Sequence, residues 1–334
     1  MERNENAMFD SYTRKINYLR VSVTDKCNLR CRYCMPEEGV DYVKHTKILT
    51  LEEIARFVKV AAGVGISKVR LTGGEPLVRK NITKLISEIA HIPQINDLAI
   101  TTNGILFADM AADLKAAGLN RVNFSLDSLD SDTFKFITRS GGELSQVLHS
   151  IDKALALGMA PLKINTVVMK GINDHEIENF VRLAREMPIH VRFIEFMPIG
   201  DLPFHQADKV VTVNEIKAII SQNYELYQGS AVLGNGPAKS FHIRGGVGTV
   251  GFISPLSEHF CSECNRVRLT ADGKLRNCLF AKEETNLQLA LKNTDSDTKI
   301  LTLLQKAIKE KPRRHYMNDG WGADNNRKMY QIGG

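Results

Sequence analysis

The sequence predicts an α/β fold, a partial (βα)6 TIM-like barrel followed by a C-terminal α+β extension. Strand-like and helix-like stretches alternate six times with short connections, a pattern typical of a parallel sheet with right-handed crossovers. The strands are too apolar for a sheet covered on one side only, so helices should pack on their outer face. Polar, glycine-rich or cysteine-bearing segments follow the strands, at the edge where barrel-like α/β proteins assemble their chemistry. Six units rather than eight predict an open barrel with room for a large substrate.

Each predicted barrel strand is a short run rich in β-branched and aromatic residues. In order, the strands are predicted at Asn17–Val23, Lys68–Leu71, Leu98–Ile100, Arg121–Leu126, Pro161–Met169 and Ile189–Phe196. The helices between them are predicted at 50–62, 80–91, up to Gly118, Leu144–Leu157 and up to Glu186. The first of these helices begins with a Thr50–Glu53 capping box, and glycines 118 and 158 suit helix ends. Asn173 or Asp174 is expected to cap the last one.

The alternation of strands and helices ends after Phe196, so we expect a domain boundary near 200–210. This boundary divides the chain into 1–205 and 206–334. A second capping box, Thr212 with Glu215, predicts a helix. Asp272-Gly273 is a hairpin signal between two short strands. The remaining elements are predicted at Ser240–Ile243, Thr249–Ile253, Arg266–Leu269, Lys274–Cys278, Glu283–Leu291 and Lys299–Lys309.

Composition is ordinary for a globular protein, since 43% of the 334 residues are hydrophobic and 25% are charged. No apolar run approaches the roughly 20 residues that span a bilayer, and residues 1–15 lack the apolar core of a secretory signal. We therefore expect a cytoplasmic protein without a membrane partner. The net charge of +6 is spread along the chain. Such a modest excess is compatible with a polyanionic small molecule and is weak support for nucleic acid, which we do not expect as a partner.

The six cysteines fall into two groups of three, which in a reducing compartment favours metal binding over disulfides. Cys27, Cys31 and Cys34 form the first group, with C-x3-C-x2-C spacing. A closed zinc site needs four ligands, whereas a cubane iron–sulfur cluster held by three thiolates leaves one iron free to bind another molecule. A zinc knuckle with a distant fourth ligand, or three buried thiols, are the alternatives to a cluster.

The second group is Cys261, Cys264 and Cys278, and spacing alone supports zinc and iron–sulfur about equally. His259 is close enough in sequence to complete a zinc site. Arg266 and Arg268 alternate on a predicted strand and therefore share one face. Two guanidinium groups beside a metal site form a good anion receptor, although a solvated basic strand has the same pattern.

The first cysteine group, with Tyr33 just before its last member, resembles the signature of the radical S-adenosylmethionine (SAM) enzymes. The resemblance implies a 4Fe–4S cluster whose open iron binds SAM, from which a 5′-deoxyadenosyl radical is made. It also implies that Tyr33, Gly74, Ser125 and Met197 contact SAM. Without it, Met197 would be interpreted as a core methionine.

Within these enzymes, the chain resembles the GTP 3′,8-cyclase family of molybdenum cofactor biosynthesis over nearly its whole length. The matching segments are 18–27, 71–76, 101–104, 123–127, 192–197, 260–268, Asp272–Lys274 leading to Cys278, and 332–334. The resemblance implies that the second cysteine group also holds a 4Fe–4S cluster, whose open iron binds the guanine of GTP. Family positions for GTP fall on Arg20, Arg70, Thr101, Lys163, Arg266 and Arg268. The final Gly333 and Gly334 are expected to reach into the active site. Thr13 stands where the family usually has glycine, and Arg192 has no assigned role.

The reaction implied by the resemblance removes the hydrogen at C3′ of the GTP ribose and joins C3′ to C8 of guanine. The expected product is (8S)-3′,8-cyclo-7,8-dihydroguanosine 5′-triphosphate. Expected partners are cyclic pyranopterin monophosphate synthase as the next enzyme, an electron donor such as flavodoxin or ferredoxin, and a second copy in a homodimer. The alternatives are a peptide-modifying radical SAM enzyme with an auxiliary cluster, and a basic two-site zinc protein that binds nucleic acid.

Overall fold

The computed structural model describes residues 7–139, 141–197, 199, 204, 207–229, 236–258, 260–293, 297–315 and 327–333, with Ala207 described by its backbone only. Within these residues, twelve strands form one sheet and ten α-helices are present. None of the helices in this part of the chain combines the length and apolarity needed to cross a bilayer.

The strands are β1 (Tyr18–Ser22), β2 (Lys68–Thr72), β3 (Asp97–Thr102), β4 (Arg121–Ser125), β5 (Leu162–Val168), β6 (Ile189–Glu195), β7 (Leu226–Tyr227), β8 (Lys239–Ile243), β9 (Thr249–Ile253), β10 (Arg266–Leu269), β11 (Lys274–Arg276) and β12 (Thr285–Asn286). The helices are α1 (Leu51–Gly63), α2 (Ile82–Ala90), α3 (Phe107–Ala116), α4 (Ser131–Thr138), α5 (Leu144–Ala156), α6 (Ile177–Glu186), α7 (Val213–Ile220), α8 (Gln288–Lys292), α9 (Thr298–Lys309) and α10 (Met329–Ile332).

The sheet has the order β12-β11-β10-β1-β2-β3-β4-β5-β6-β9-β8-β7. The six predicted barrel strands are consecutive and parallel, which confirms the α/β barrel-like architecture. The C-terminal part adds one parallel strand at each end of this set, β10 beside β1 and β9 beside β6. The connection from β9 to β10 therefore carries Cys261 and Cys264 from one end of the parallel set to the other.

The two faces of each barrel strand differ in polarity. Leu19 and Val21 of β1 are fully buried in the main apolar cluster, together with helix residues such as Phe57 of α1. Tyr18 and Arg20 alternate with them and line a cavity on the opposite face of the strand. Because successive strand side chains point to opposite faces, the apolar face holds the helices and the other face forms a polar interior. Burial of a large apolar side chain such as Phe57 stabilises the fold by about 1.5–3 kcal/mol.

Several predicted element boundaries are confirmed. Thr50 and Glu53 form a complete capping box at α1, and Thr212 and Glu215 form another at α7. The predicted bounds of β9 and β10 agree with the structure residue for residue. Gly273 has a φ of +75° in the tight turn between β10 and β11, as the hairpin signal predicts.

Other predictions are wrong. Helix α4 is missing from the sequence-based list, and the helix expected from Glu283 begins only at Gln288, because Thr285 and Asn286 pair with β11. Neither Asn173 nor Asp174 caps α6. The Asn173 amide group instead donates to the carbonyl oxygens of Asp127 and Val167 at 2.6 and 2.8 Å.

Candidate active site

The barrel interior is lined by polar side chains from alternate positions of adjacent strands. Tyr18 is in register with Lys68 and Arg266, and Arg20 with Arg70 and Arg268. Further round the sheet, Asn123 is in register with Lys163. Because residues in register on neighbouring parallel strands lie side by side, this alternation brings many charged groups to the same place.

Cations far outnumber acids in this interior. Two adjoining cavities share Tyr18, Arg70, Arg192 and Gly236, and Asp97 is the one acidic residue that lines either of them in the described part of the chain. Asp97 already accepts from Arg121 Nε at 3.0 Å. The cationic lining residues are Arg20, Lys68, Arg70, Arg121, Lys163, Arg192, Arg266, Arg268 and Lys311. A triphosphate is an anion that guanidinium and ammonium groups recognise well, so this concentration of buried cations suits such a ligand.

Burial, and after it the neighbouring cations, lowers the pKa values of several of these groups. Burial, with Arg192, Arg121 and Arg70 nearby, lowers the pKa of Lys163 to about 6. Burial also lowers the pKa of Arg20 and of Arg192 to about 10, and each feels other arginines. An anion bound among these side chains would restore their usual basicity.

Several buried polar atoms in the interior have no hydrogen-bond partner among the described residues. They are Tyr18 OH, Arg70 Nε, Thr101 Oγ1, Asn123 Nδ2 and Oδ1, and Asn165 Oδ1. A buried polar group left unsatisfied costs about 1–3 kcal/mol. Their concentration in one interior indicates a site shaped for a polar ligand, which fits the predicted place of Thr101.

The first cysteine group lies on a loop that follows the carboxyl end of β1. Two backbone hydrogen bonds attach the loop to the end of α4, from Arg30 N to Thr138 O and from Arg32 N to Ile137 O, at 3.1 and 2.9 Å. Burial raises the pKa of Cys27 to about 11 and that of Cys34 to about 12. Burial, with the other two thiols nearby, also raises the pKa of Cys31. Iron bound by the group would displace these thiol protons.

Gly74 allows the segment after β2 to approach this loop closely. A Cβ atom at Gly74 would lie 2.3 Å from the carbonyl oxygen of Lys26, the residue before Cys27. The next side chain, Glu75, is buried and accepts from Leu77 N, Thr102 Oγ1 and Asn103 N at 2.7–3.0 Å. These contacts fix the predicted SAM-binding segment against the end of β3, and Glu75 N donates to Lys26 O at 2.8 Å, beside the cysteine loop.

The other predicted SAM contacts lie at the same rim of the barrel or in the interior. Tyr33 donates from its hydroxyl group to Asp127 Oδ2 at 2.6 Å, just after β4. Ser125 is the half-buried last residue of β4, and Met197 lines the larger cavity two residues after β6. Tyr33 and Ser125 do not line that cavity, whereas Arg20, Arg70, Arg266 and Arg268 do.

The second cysteine group lines the larger cavity, at the other end of the barrel. Cys264 precedes the amino end of β10, whereas Cys27 follows the carboxyl end of β1, its parallel neighbour. All three cysteines of the group contribute to the cavity wall beside Arg266 and Arg268. Burial opposes ionisation of Cys264, but Arg266 and Lys311 outweigh it and lower its pKa to about 6. His259, the possible fourth zinc ligand, lies outside the described residues.

Gly333 lies beside Ser22 and Thr72, at the carboxyl ends of β1 and β2. Its carbonyl oxygen accepts a hydrogen bond of 2.6 Å from Arg268 Nη1. Its φ is +67°, and a Cβ atom there would lie 2.5 Å from Thr72 Cγ2. Both observations explain why glycine occupies the position. Gly334 lies outside the described residues.

Several residues that line the larger of the two cavities or support it were not predicted from sequence patterns. Tyr18 and Asn165 line it, and a list of alternate residues on each strand would have found them; Arg192, which the sequence left without a role, lines it too. Lys311 is nearly fully buried and donates to Arg266 O at 2.9 Å and to Asn277 O. Arg14, also buried, donates to Cys261 O at 2.7 Å. No local signal in the sequence points to Lys311 or Arg14, because their partners are distant in the chain.

Comparison with known families and proteins agrees with this geometry. Residues 21–184 match the Radical SAM superfamily, and residues 189–317 match the family Molybdenum Cofactor Synthesis C. A protein of Syntrophomonas wolfei named GTP 3′,8-cyclase is 60% identical over 98% of this chain and 100% of its own length. A protein of the same name from Desulforamulus reducens is 52% identical over the same shares of the two chains.

Solved structures show the same fold at low sequence identity. Streptococcus suis SuiB, crystallised with S-adenosylmethionine, aligns with a TM-score of 0.58 at 14% identity, covering 90% of this chain and 69% of SuiB. SuiB crystallised with its precursor peptide SuiA aligns with a TM-score of 0.55 at 13% identity, covering 95% and 68%. These likenesses concern the fold alone.

Proposed function

Because the chain belongs to the GTP 3′,8-cyclase family within the radical SAM superfamily, we propose that its barrel holds GTP between two facing iron–sulfur clusters. The chain is a radical SAM GTP cyclase of molybdenum cofactor biosynthesis, and its cofactors are SAM and two 4Fe–4S clusters. One observation above all supports the proposed place of GTP: the cations of the barrel interior crowd beside the second cysteine group and share that space with a single acidic residue in the described chain.

In the proposed site, Arg20, Arg70, Lys163, Arg266 and Arg268 bind the GTP phosphates, and Thr101 offers a hydroxyl group to the nucleotide. The missing partners of Thr101 Oγ1 and Arg70 Nε in the described chain support this assignment. We add Arg192, because it lines both cavities with Arg70. Fixed guanidinium groups hold the ribose in one orientation, and such positioning accounts for a large part of catalysis between bound partners.

Cys27, Cys31 and Cys34 are proposed to hold the cluster that binds SAM, with Tyr33, Gly74, Ser125 and Met197 around SAM. Cys261, Cys264 and Cys278 are proposed to hold the cluster that faces the guanine. When bound, the first cluster and SAM would supply the 5′-deoxyadenosyl radical that removes the ribose 3′-hydrogen; C3′ would then join C8, and one electron from the reductant and one proton would complete the product. The buried walls of the barrel exclude water that would quench a radical.

The remaining parts of the proposal concern the chain ends and partners. Segment 1–205 supplies the SAM site and segment 206–334 supplies the second cluster, with Gly333 and Gly334 entering the active site. The expected setting is the cytoplasm, with an electron donor such as flavodoxin or ferredoxin and with cyclic pyranopterin monophosphate synthase as the next enzyme. Association as a homodimer is part of the same proposal.

The decisive experiment combines a metal count with product analysis. Anaerobically purified protein should be brown and contain about eight irons per chain. With SAM and a reductant it should convert GTP to a product of the same composition that carries a new C3′–C8 bond. Zinc in both sites would overturn the cluster assignment, and a peptide rather than GTP as substrate would overturn the proposed substrate.

A further inference from the structure

The last described segment, 327–333, runs along the wall of the barrel and contributes to the active-site cavity. Met329 lines the larger cavity, and Tyr330 and Ile332 of α10 are buried. At the end of the segment, Gly333 receives the hydrogen bond from Arg268. A short helix of four residues has little stability of its own, so contacts from the rest of the chain must hold it.

The segment also reaches the first cysteine group. The backbone amide of Tyr330 lies close enough to the Cys34 thiol to favour its ionised form, although burial raises the pKa of Cys34 overall. At the end of the same segment, the carbonyl oxygen of Gly333 accepts a hydrogen bond from Arg268. Arg268 lines the larger cavity, as do Cys264 and Cys278. Residues 330–333 therefore connect the surroundings of one cysteine group with those of the other.

Arg327 fixes the start of the segment through two carboxylates. Nη1 and Nη2 donate to the two oxygens of Asp272, both at 2.9 Å. Nε and Nη2 donate to the two oxygens of Glu284 at 2.8 and 2.7 Å. The three side chains are only 10–15% exposed. Doubly bidentate geometry of this kind is specific to the arginine fork and is not reproduced by lysine.

Glu284 connects Arg327 to the second cysteine group. Glu284 Oε1 also accepts from Arg276 Nη1 at 2.5 Å. Arg276 is completely buried, and its Nη2 donates to the carbonyl oxygens of Leu279 and Ala281 at 3.2 and 2.6 Å. Leu279 directly follows Cys278, so the loop that carries this cysteine and the segment 327–333 depend on one carboxylate. Asp272, by contrast, supports the segment from the β10–β11 turn.

We propose that Arg327 is a positioning residue whose ion pairs with Asp272 and Glu284 seat the segment 327–333 between the two cysteine groups and so order Gly333 for turnover. The seating itself rests on the contacts above, and its catalytic consequence rests on the proposed function. Loss of Asp272 should free the segment alone. Loss of Glu284 should free the segment and also loosen the Cys278 loop.

The test uses the cluster-loaded full-length protein and four variants: Arg327→Gln, Asp272→Asn, Glu284→Gln and, as a matched control, Arg244→Gln. Arg244 also forms a bidentate ion pair, with the carboxylate of Glu225, but both of these side chains are exposed. Hydrogen exchange at the Tyr330 amide is followed by mass spectrometry, the iron content is measured, and kcat and KM for GTP are determined.

We expect Arg327→Gln and Asp272→Asn to accelerate exchange in 328–332 roughly a hundredfold, because a broken buried ion pair leaves a charged or polar group unpaired. Iron content should stay at the wild-type value, and kcat should fall about tenfold or more with a smaller change in KM, as for loss of an interaction that orders the reacting complex. Glu284→Gln should in addition lose iron. Arg244→Gln should match the wild type in every measurement.

Unchanged exchange in both Arg327→Gln and Asp272→Asn would overturn the seating role of Arg327. Accelerated exchange with wild-type kcat would overturn the catalytic consequence. Absence of GTP conversion by the wild-type protein would overturn the proposed function instead, and the exchange data would still decide whether Arg327 seats the segment.

Discussion

Arg14 donates a hydrogen bond of 2.7 Å from Nη1 to the carbonyl oxygen of Cys261, a residue 247 positions further along the chain. The same guanidinium group donates to Pro312 O at 2.7 Å and to Asp10 Oδ2 at 2.5 Å. The buried guanidinium group of Arg14 thus connects the residues before β1, the second cysteine group and the segment after α9. The stability of the second cluster should depend on it.

Replacement of Arg14 by alanine should weaken the second cluster selectively. Asp10 would be left as a buried charge without its partner, and breaking such a pair costs about 3–5 kcal/mol. We expect iron to fall from about eight toward about four per chain as the second cluster is lost. Arg14→Lys keeps the positive charge but loses the branched guanidinium group, so its iron content should lie between those of Arg14→Ala and the wild type. Arg182→Ala, which removes an exposed arginine, is the control, and wild-type iron content in Arg14→Ala would contradict the role.

Thr13→Gly should stabilise the protein. Thr13 has a φ of +61°, a left-handed conformation that is strained for a β-branched residue. Removing the strain should raise the free energy of unfolding by about 1 kcal/mol, after allowance for the greater freedom of glycine in the unfolded chain. Asn81, with a φ of +60°, is the matched control, since asparagine tolerates this region and Asn81→Gly should change little. Urea unfolding measures both, and an equal effect of the two substitutions would refute the explanation.

Gly74→Ala should disrupt the first cluster and leave the second in place. The added Cβ would lie 2.3 Å from Lys26 O and would push the cysteine loop away from β2. We expect about four irons per chain, weak SAM binding and no cleavage of SAM. Gly63→Ala adds the same atom in open space at the end of α1 and should be neutral. Full iron content and wild-type SAM affinity in Gly74→Ala would show that the close approach is unimportant.

GTP binding should be accompanied by proton uptake at Lys163. In the folded protein, burial and then the nearby charge of Arg192 lower the pKa of the Lys163 amine to about 6. The amine is therefore mostly neutral at about pH 8. Bound phosphates favour the charged form and raise the pKa again. GTP affinity should therefore fall as pH rises above about 6, and about one proton should be taken up at about pH 8.

Calorimetry in buffers with different ionisation enthalpies measures this uptake. Lys163→Met should abolish it, whereas Lys84→Met, which changes an exposed surface lysine, should not. Equal uptake by the Lys163 variant and the wild type would assign the proton to another group.

Patterns local in sequence predicted much of this molecule. Capping boxes, glycine helix ends and the Asp272-Gly273 turn are short-range signals, and the bounds that depend on them agree with the structure. Helix α4 was missed because it has only eight residues and its cap, Asp130, is easily interpreted as part of a loop. The prediction of a helix from Glu283 was wrong because Glu284 accepts hydrogen bonds from Arg276 and Arg327. These tertiary contacts override helix propensity.

The interior of the barrel was harder to predict. The cysteine spacing and two arginines on one strand indicated an anion site, but the cations of the other strands could be placed only from the register of the seven neighbouring strands from β10 to β6. The shared place of Tyr18 and Arg192 in the two cavities followed only from the arrangement of the strands in the sheet. The supports of the second cysteine group, Arg14 and Lys311, come from the two ends of the chain, and no single-sequence pattern connects them.

The position of β1 between β2 and β10 has a consequence for biosynthesis. One edge of the first barrel strand pairs with residues 266–269, so it has no partner until most of the chain has left the ribosome. Unpaired strand edges recruit other strands and promote aggregation. A nascent chain of this protein therefore carries an open edge for most of its translation, and shielding by a chaperone would be most useful before residue 266 emerges.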